Sequence, residues 1–367
     1  MSSTLGTNYK ISIFGESHGT AIGAVIDAPP PGLEIDMNQV LLQMARRAPD
    51  GKDGSTKRVE ADTPHIQSGV LERDGKLIAT GAPLCVLIEN TNTRSMDYEN
   101  IARIARPAHA DYTGFVHYNG CNDIRGGGHF SGRLTAPLVF AGALARQALA
   151  RMGISICAHI ASIGDIHDLP LNPCNIPTET AEHLSRSDFP VLDEVQGKLM
   201  KNEIERVRMN ADSVGGIIEC AVTGIPAGIG APIFDALECK IAHAVFGIPA
   251  VKGLEFGAGF ELTKMRGSTA NDPMRMQGDR VITTSNNNGG ILGGITNGMP
   301  VLFRAAIKPT ASIGLPQQSI DYARNCDAEL IIKGRHDACI VPRAVPVIEA
   351  AAAVAILDEI MAEGKYE

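Results

Sequence analysis

The sequence predicts an α+β fold in layers. Strand-like and helix-like runs both occur along the 367 residues, but they do not alternate as strictly as in a βαβ protein. Glycine (39 residues) and proline (21 residues) are frequent, which favours many turns and strands. Polar clusters recur from residue 15 to residue 343. If they form one site, the whole chain, 1–367, must fold as a single domain.

The first elements are predicted from local signals. Residues 11–14 and 21–26 read as strands around a glycine-containing turn. Asp36 is a predicted N-cap for a helix over 37–47. Residues 48–63 form a charged stretch without apolar periodicity, which predicts a loop.

Later elements follow the same signals. Further strands are predicted at 84–89, 216–222, 254–262 and 301–307. Further helices are predicted at 136–152, 193–210, 235–246 and 344–362, two of them ending at a glycine. Residues 265–290 are polar and rich in Gly and Asn, and a loop of this length is usually functional or mobile.

Composition excludes several classes of function. The formal net charge is −8 and tryptophan is absent, so neither a basic surface nor an aromatic platform for nucleic acid is expected. The eight cysteines form no CxxC pair, which fits reduced thiols in a cytoplasmic protein. We expect no membrane association, because the N-terminus lacks an apolar signal core and the longest apolar run, 350–357, is too short to span a bilayer.

The most informative segment is 122–133, which carries three consecutive glycines before an apolar helical run. The glycines let backbone N–H groups approach a ligand closely, and the neighbouring Arg125, His129, Ser131 and Arg133 indicate an anion. A helix beginning near residue 137 would add its N-terminal dipole. The alternative is a flexible turn with solvated charges.

The segment Gly15-Glu-Ser-His-Gly19 has the G-x-S-x-G form of a serine hydrolase elbow. An elbow requires a helix after the serine, whereas residues 20–26 read as a strand. The segment therefore predicts a turn that presents Ser17 and His18 to a pocket, where His18 could act as a general acid. A histidine in solvent is the remaining alternative.

Three more clusters carry polar chemistry. In the predicted loop 106–114, Asp111 could orient His109, as could a backbone carbonyl. Lys308, which follows a strand and precedes two hydroxyl residues, suits a phosphate group. Residues 333–343 place charged groups among apolar neighbours, so part of this run should be buried. No HxH, HxxxH or HExxH spacing occurs, and we expect no metal site.

Taken together, six motifs resemble the chorismate synthase family over essentially the whole chain. They occur in the order GESHG, RPAHADYTG, RGGG followed by SGR, GGILGG, KPTAS and KGRHDACIVPRAVP. The resemblance implies a carbon–oxygen lyase that eliminates phosphate from 5-enolpyruvylshikimate 3-phosphate to give chorismate, using reduced FMN without net redox change. It also implies helices sandwiched between antiparallel sheets and a homotetramer.

The resemblance also implies roles for residues. His18 would be the acid that meets the departing phosphate, His109 would lie by the pyrimidine end of the flavin, and Asp337 would help relay a proton from flavin N5. The implied substrate-binding residues are Ser17, Arg47, Arg133, Arg335 and Arg343. The implied cofactor-binding residues are His129, Phe130, Ser131, Pro249, Ala250, Gly293, Lys308, Pro309, Thr310, Ala311, Ser312 and Arg335.

Several positions depart from the common family pattern. The three glycines are usually followed by Arg-Ser-Ser-Ala-Arg, but here by His129-Phe-Ser-Gly-Arg133, so Phe130 could pack on the flavin instead. Asn287 and Pro249 replace a usual His and Asn. Ala48 and Asp53 stand where bacterial relatives often carry Arg, which weakens a direct NADPH (NADP) site. We therefore expect a monofunctional enzyme supplied with reduced flavin by an external flavin reductase or reductant. A serine hydrolase and a non-catalytic flavin- or phosphate-binding module remain alternatives.

Overall fold

Two five-stranded antiparallel sheets enclose a layer of helices in the computed structural model, which describes residues 3–48, 62–91, 103–332 and 337–366. The strands in chain order are β1 Thr4–Leu5, β2 Lys10–Gly15, β3 Ala21–Asp27, β4 Glu34–Ile35, β5 Pro64–Ser68, β6 Val70–Arg73, β7 Lys76–Ala79, β8 Leu84–Glu89, β9 Ser155–Ile163, β10 Ile166–His167, β11 Gly216–Thr223, β12 Val251–Phe256, β13 Met274–Gln277, β14 Arg280–Thr283, β15 Ile291–Leu292, β16 Ile295–Thr296, β17 Val301–Ile307, β18 Gln317–Asp321 and β19 Cys326–Leu330. The α-helices are α1 Met37–Arg47, α2 Asp111–His117, α3 Thr135–Arg151, α4 Thr178–Arg186, α5 Glu194–Met209, α6 Leu237–Phe246, α7 Gly267–Ala270 and α8 Val341–Ala362.

The layers confirm the predicted α+β sandwich. The first sheet has the order β1-β2-β3-β8-β5 and the second has the order β10-β9-β11-β17-β12. Helix α3 packs on β2, β3 and β8 of the first sheet, whereas α8 packs on β9 and β11 of the second. The two helices also pack on each other, and α1 lies against both. The central helices therefore bury nearly all of their surface between the sheets.

The contact between α3 and α8 depends on small side chains. A Cβ added at Gly142 of α3 would overlap the Cα and Cβ atoms of Ala350 in α8. Both helices are apolar around most of their circumference, as expected for helices without a solvent face. Helix α8 nevertheless buries carboxylates, among them that of Glu349, which accepts hydrogen bonds from Arg46 of α1 and Arg146 of α3, each at 2.6 Å.

Most elements predicted from local signals are confirmed, including the Asp36 N-cap, which accepts hydrogen bonds from the backbone N–H groups of Asn38 and Gln39. The strand predicted at 254–262 is wrong in its bounds. It runs over Val251–Phe256, because Gly257 and Gly259 adopt positive φ angles of 55° and 54° and end it.

Two predicted loops contain regular structure. The second half of 106–114 opens the short helix α2. The stretch 265–290 holds the short helix α7 and the β13–β14 hairpin. The loop predicted at 48–63 lies almost wholly outside the described residues.

The eight cysteines are free thiols. Among the helices of the described ranges, none combines the length and the apolar character that crossing a bilayer requires.

Candidate active site

The turn Gly15–Gly19 connects β2 to β3 at one end of the first sheet. A strand follows Ser17, so the turn lacks the strand–serine–helix geometry of a hydrolase elbow. Ser17 and His18 are both buried, and the Ser17 N–H donates to the carbonyl of Gly128 at 3.1 Å. The turn therefore packs directly on the glycine-rich segment.

His18 and His109 lie against two adjacent glycines of the glycine-rich segment. Gly126, Gly127 and Gly128 all have positive φ, with values of 59°, 86° and 53°. A Cβ on Gly126 would overlap the His18 ring, and one on Gly127 would lie 3.1 Å from His109 Nε2. The missing side chains thus let two imidazoles approach the same stretch of backbone.

His109 is held by a buried ion pair. Its Nδ1 lies 2.6 Å from Asp111 Oδ1, and Arg106 donates to both carboxylate oxygens of Asp111 at 2.7 Å. Burial alone would raise the pKa of Asp111, but the hydrogen bonds from Arg106 and His109 outweigh it and hold that pKa well below its usual range. Asp111 is therefore a carboxylate at any physiological pH.

The segment after β17 joins this group. Arg106 Nη1 donates to Ser312 Oγ at 3.2 Å, and Lys308 Nζ donates to the carbonyl of Ala108 at 2.8 Å. Partial burial and the neighbouring charge of Lys252 lower the pKa of Lys308. Thr310 Oγ1 is buried, and it has no hydrogen-bond partner within the described residues.

An arginine cluster lies on the other side of the turn. Arg47 and Arg133 both form ion pairs with the buried carboxylate of Asp62. Arg133 Nε also donates to Asn90 Oδ1 at 3.0 Å. The same Asn90 donates from Nδ2 to the carbonyls of Glu16 and Gly19, so one side chain connects the cluster to the His18 turn.

The helix α8 contributes the last part of the site. Arg343 Nε donates to the carbonyl of Arg47 at 3.0 Å, and Arg343 Nη1 donates to Asp337 Oδ2 at 2.5 Å. Hydrogen bonds and close contacts thus connect Asp337 through Arg343, the arginine cluster and the His18 turn to His109. Residues far apart in the chain meet at one place.

A family model described as chorismate synthase matches residues 9–361. The chain belongs to the chorismate synthase family. It is 45% identical over 359 residues to a chorismate synthase of Dehalococcoides mccartyi, covering 98% of this chain and 96% of that protein. It is 44% identical over 363 residues to one of Thermococcus kodakarensis, covering 99% and 98%. A solved structure described as "Crystal Structure of Chorismate Synthase" matches with a TM-score of 0.74 at 28% identity, over 96% of this chain and 91% of that one.

In this family member, most of the residues with predicted roles belong to the segments that these contacts connect, and the roles themselves stay predictions. They are Ser17, His18, Arg47, His109, His129, Phe130, Ser131, Arg133, Lys308, Pro309, Thr310, Ala311, Ser312, Asp337 and Arg343. Pro249 and Ala250 border it, because the carbonyl of Ala250 accepts from the Lys308 N–H at 2.9 Å. Arg335 lies outside the described residues.

Gly293 is separate from this group. It lies at the turn of the β15–β16 hairpin with a φ of 63°. The hydrogen bonds described for that hairpin run to residues 226–237, and none of them reaches the His18 turn. Its cofactor role stays a prediction.

The residues after the three glycines have structural partners of their own. His129 contacts the carbonyl of Gly15 through Nδ1 and Ser3 Oγ through Nε2, each at 2.8 Å. Phe130 packs against Gly114 and meets Tyr118 edge-on at 6.1 Å between ring centroids. Ser131 Oγ caps the following 3₁₀ turn by accepting from the Arg133 N–H.

Three residues of the site, Asp62, Asn90 and Arg106, have no predicted role. Asp62 and Asn90 stand in polar stretches without a motif, so no local signal marks them. Arg106 opens the RPAHADYTG motif, and its position three residues before His109 was the available signal. Within the described part of the chain, no group of three or more His, Cys, Asp or Glu side chains is arranged to hold a metal ion.

Proposed function

We propose that this chain catalyses the anti-1,4-elimination of phosphate from 5-enolpyruvylshikimate 3-phosphate to give chorismate, with reduced FMN (FMNH2) as cofactor. The observation that carries the proposal is the meeting of His18 and His109 at Gly126 and Gly127 beside an arginine cluster. The reaction breaks a C–O and a C–H bond in a molecule with two carboxylates and a phosphate. It needs an acid for the leaving group and cations for binding.

The residues fit a bound flavin. Lys308 supplies a cation whose amine contacts only a carbonyl among its described hydrogen bonds, and Thr310 supplies a buried hydroxyl without a partner there. Gly127 leaves space beside His109 that a side chain would fill. With Ser312 nearby, these groups would hold the phosphate and ring edges of the cofactor. When bound, reduced FMN supplies an electron-rich ring that eases departure of phosphate.

In this proposal His18 is the general acid. Its side chain is buried and held against Gly126. An imidazolium is a proton donor, so His18 can deliver a proton to the departing phosphate oxygen. His109 holds a proton on the edge of its ring that faces the ligand. Asp337, which is paired with Arg343, takes part in moving a proton at the opposite end of the site.

The cationic residues serve binding. Arg47, Arg133 and Arg343 pair with only two carboxylates, those of Asp62 and Asp337, so among these five residues guanidinium groups outnumber carboxylates by one. The excess positive charge is local, because the chain as a whole has a net charge of −8. Each Arg contact to a substrate carboxylate or phosphate is worth about 1.5–3 kcal/mol.

The wider proposal concerns partners. The chain acts as one unit, 1–367, in the cytoplasm, receives reduced flavin from an external reductase, and assembles as a homotetramer. The last point is supported by exposed apolar side chains next to one another: Phe234 is 90% exposed and Ile233 is 75% exposed in a left-handed conformation. Sedimentation velocity measures the oligomer directly, and a monomer at micromolar concentration would contradict it.

The test is anaerobic incubation of the protein with reduced FMN and 5-enolpyruvylshikimate 3-phosphate, followed by detection of chorismate and inorganic phosphate. The proposal predicts both products in equal amounts and no net oxidation of the flavin. Absence of chorismate, with the protein folded, would contradict it. Labelling of Ser17 by a fluorophosphonate probe would instead favour a serine hydrolase.

A further inference from the structure

We infer that Asp111 and Arg106 are positioning residues that keep a proton on His109 Nδ1, so that His109 gains and loses its exchangeable proton at Nε2. Only the use of that proton in catalysis rests on the proposed function. The tautomer itself is a property of the folded chain.

The contacts of the Asp111 carboxylate decide which nitrogen carries the proton. Oδ2 accepts from the backbone N–H and Nε of Arg106, and Oδ1 accepts from Nη2 of the same residue. The fourth contact is His109 Nδ1 at 2.6 Å from Oδ1. A lone pair on Nδ1 would face an ionised oxygen at that distance, which is repulsive, whereas an N–H there makes a short charge-assisted hydrogen bond.

Arg106 also lies 3.0 Å from His109 Nδ1 through Nη2, which could instead donate to a lone pair on that nitrogen. The distances favour the carboxylate as the partner. The distance from Nδ1 to the carboxylate oxygen is shorter by 0.4 Å than the distance to Nη2, and at that distance an ionised oxygen requires a hydrogen on Nδ1. Arg106 therefore fixes the carboxylate, and the carboxylate fixes the imidazole.

The opposite edge of the ring is the accessible one. His109 Nε2 faces the space that Gly127 leaves by lacking a side chain. The His109 side chain is 20% exposed, whereas those of Asp111 and Arg106 are 3% and 6% exposed. A ligand can reach the imidazole but not the pair that orients it. With a proton held on Nδ1, Nε2 is the nitrogen that can exchange a proton with a ligand.

Arg106 extends this arrangement to the flavin-binding segment. Its Nη1 donates to Ser312 Oγ, so the guanidinium spans the His109 pair and the segment 308–312. The position of Ser312 and the orientation of His109 are therefore set by one buried cation. We expect Arg106→Lys to disturb both, because an ammonium cannot make these contacts simultaneously.

Histidine-selective ¹⁵N labelling of the full-length protein tests the inference, because two-bond ¹⁵N–¹H couplings distinguish the two neutral tautomers. His109→Gln assigns the signals by their loss. In the wild-type protein at alkaline pH, we expect the Nδ1–H form of His109. An Nε2–H form in the wild-type protein overturns the inference, and this arm needs no variant to fold.

Asp111→Asn supplies the second arm. An amide N–H facing the ring favours a lone pair at Nδ1, so we expect the Nε2–H form in this variant. Chorismate formation should fall by ~10²–10⁴-fold, the scale on which a misoriented catalytic histidine loses turnover. The matched control is Glu203→Gln, which removes a carboxylate from a surface arginine pair on α5 and should change neither readout.

The outcomes separate the two proposals. An Nδ1–H tautomer in a wild-type protein that forms no chorismate supports the positioning role and contradicts the proposed function. Full turnover in Asp111→Asn, together with an unchanged tautomer, overturns the positioning role while leaving the proposed function standing.

Discussion

Gly126 and His18 are packed so closely that a single methyl group at Gly126 would overlap the imidazole ring. The same Cβ would lie 2.9 Å from Ser17 Oγ, and Gly126 has a φ of 59° that costs an alanine about 1–2 kcal/mol. We predict that Gly126→Ala displaces His18 and lowers turnover by ~10²-fold, the scale expected for a misplaced catalytic group. Steady-state kinetics with reduced FMN under anaerobic conditions measures it.

The matched control for this substitution is Gly132→Ala. Gly132 lies in the same segment and has no positive φ. Apart from its two chain neighbours, no atom of the described residues lies within 4 Å of its ideal Cβ position. Its turnover should stay close to that of the wild type. Equal turnover in the two alanine variants would show that the approach of Gly126 to His18 is not required.

Glu349 is the buried charge that fixes α1 to the central helices. Its carboxylate meets Arg46 and Arg146 and also accepts from the Ala158 N–H at 2.9 Å. Burial would raise the pKa of Glu349, but the two arginines overcome this and keep the pKa below its usual value. We predict that Glu349→Gln destabilises the protein by about 3–5 kcal/mol, because the buried guanidinium of Arg46 and the partly buried one of Arg146 lose their counterion. Urea unfolding measures the loss.

Glu203→Gln is the control for that variant, since it breaks an exposed arginine pair on α5 and should leave the unfolding midpoint nearly unchanged. If Glu349→Gln lowered the unfolding free energy as little as the control does, Glu349 would not be the charge that fixes α1. Because Arg46 precedes Arg47, the same variant should also weaken substrate binding, visible as a higher KM.

His159 lies between two carboxylates away from the active site. Its Nδ1 is 2.9 Å from Asp168 and its Nε2 is 3.0 Å from Glu219, so both nitrogens donate and the ring is an imidazolium. Burial alone would lower the pKa of His159, but these hydrogen bonds raise it. Burial would likewise raise the pKa values of Asp168 and Glu219, and the bonds to His159 contribute to lowering both.

These directions set the pH dependence of stability. The raised His159 pKa contributes stability that is present below about pH 6.5 and lost as the pH rises through the folded-state value. The two lowered pKa values contribute stability above about pH 4 that is lost on acidification. We predict that the difference in unfolding free energy between wild type and His159→Gln is larger at about pH 5.5 than at about pH 9. A constant difference would contradict the imidazolium.

Local signals were sufficient for much of the fold. Asp36 marks the start of α1 because its side chain satisfies N–H groups that the helix leaves open. The apolar runs of α3 and α8 predict buried helices without tertiary information. By contrast, the strand predicted at 254–262 is longer than β12. Its last residues belong to the 3₁₀ helix Gly259–Lys264, and the positive φ angles of Gly257 and Gly259 turn the chain there. Helix α2 has only seven residues and a glycine within it, so it shows no periodicity.

The site was predictable only where residues cluster in sequence. The motifs around His18, His109 and the three glycines are visible because each places several polar groups within a few positions. Asp62 and Asn90 act through contacts with arginines and carbonyls that are remote in the chain. Their roles arise from the pairing of β3 with β8 and the packing of α1, which no local pattern contains.

The central claim is that His18 delivers a proton in a site assembled from distant segments. The most direct measurement is the anaerobic turnover of His18→Ala with reduced FMN and 5-enolpyruvylshikimate 3-phosphate, beside the exposed-histidine control His65→Ala. Loss of a general acid should slow the first variant by ~10²–10⁴-fold and leave the second unaffected. Turnover of His18→Ala equal to that of the wild type would contradict the account.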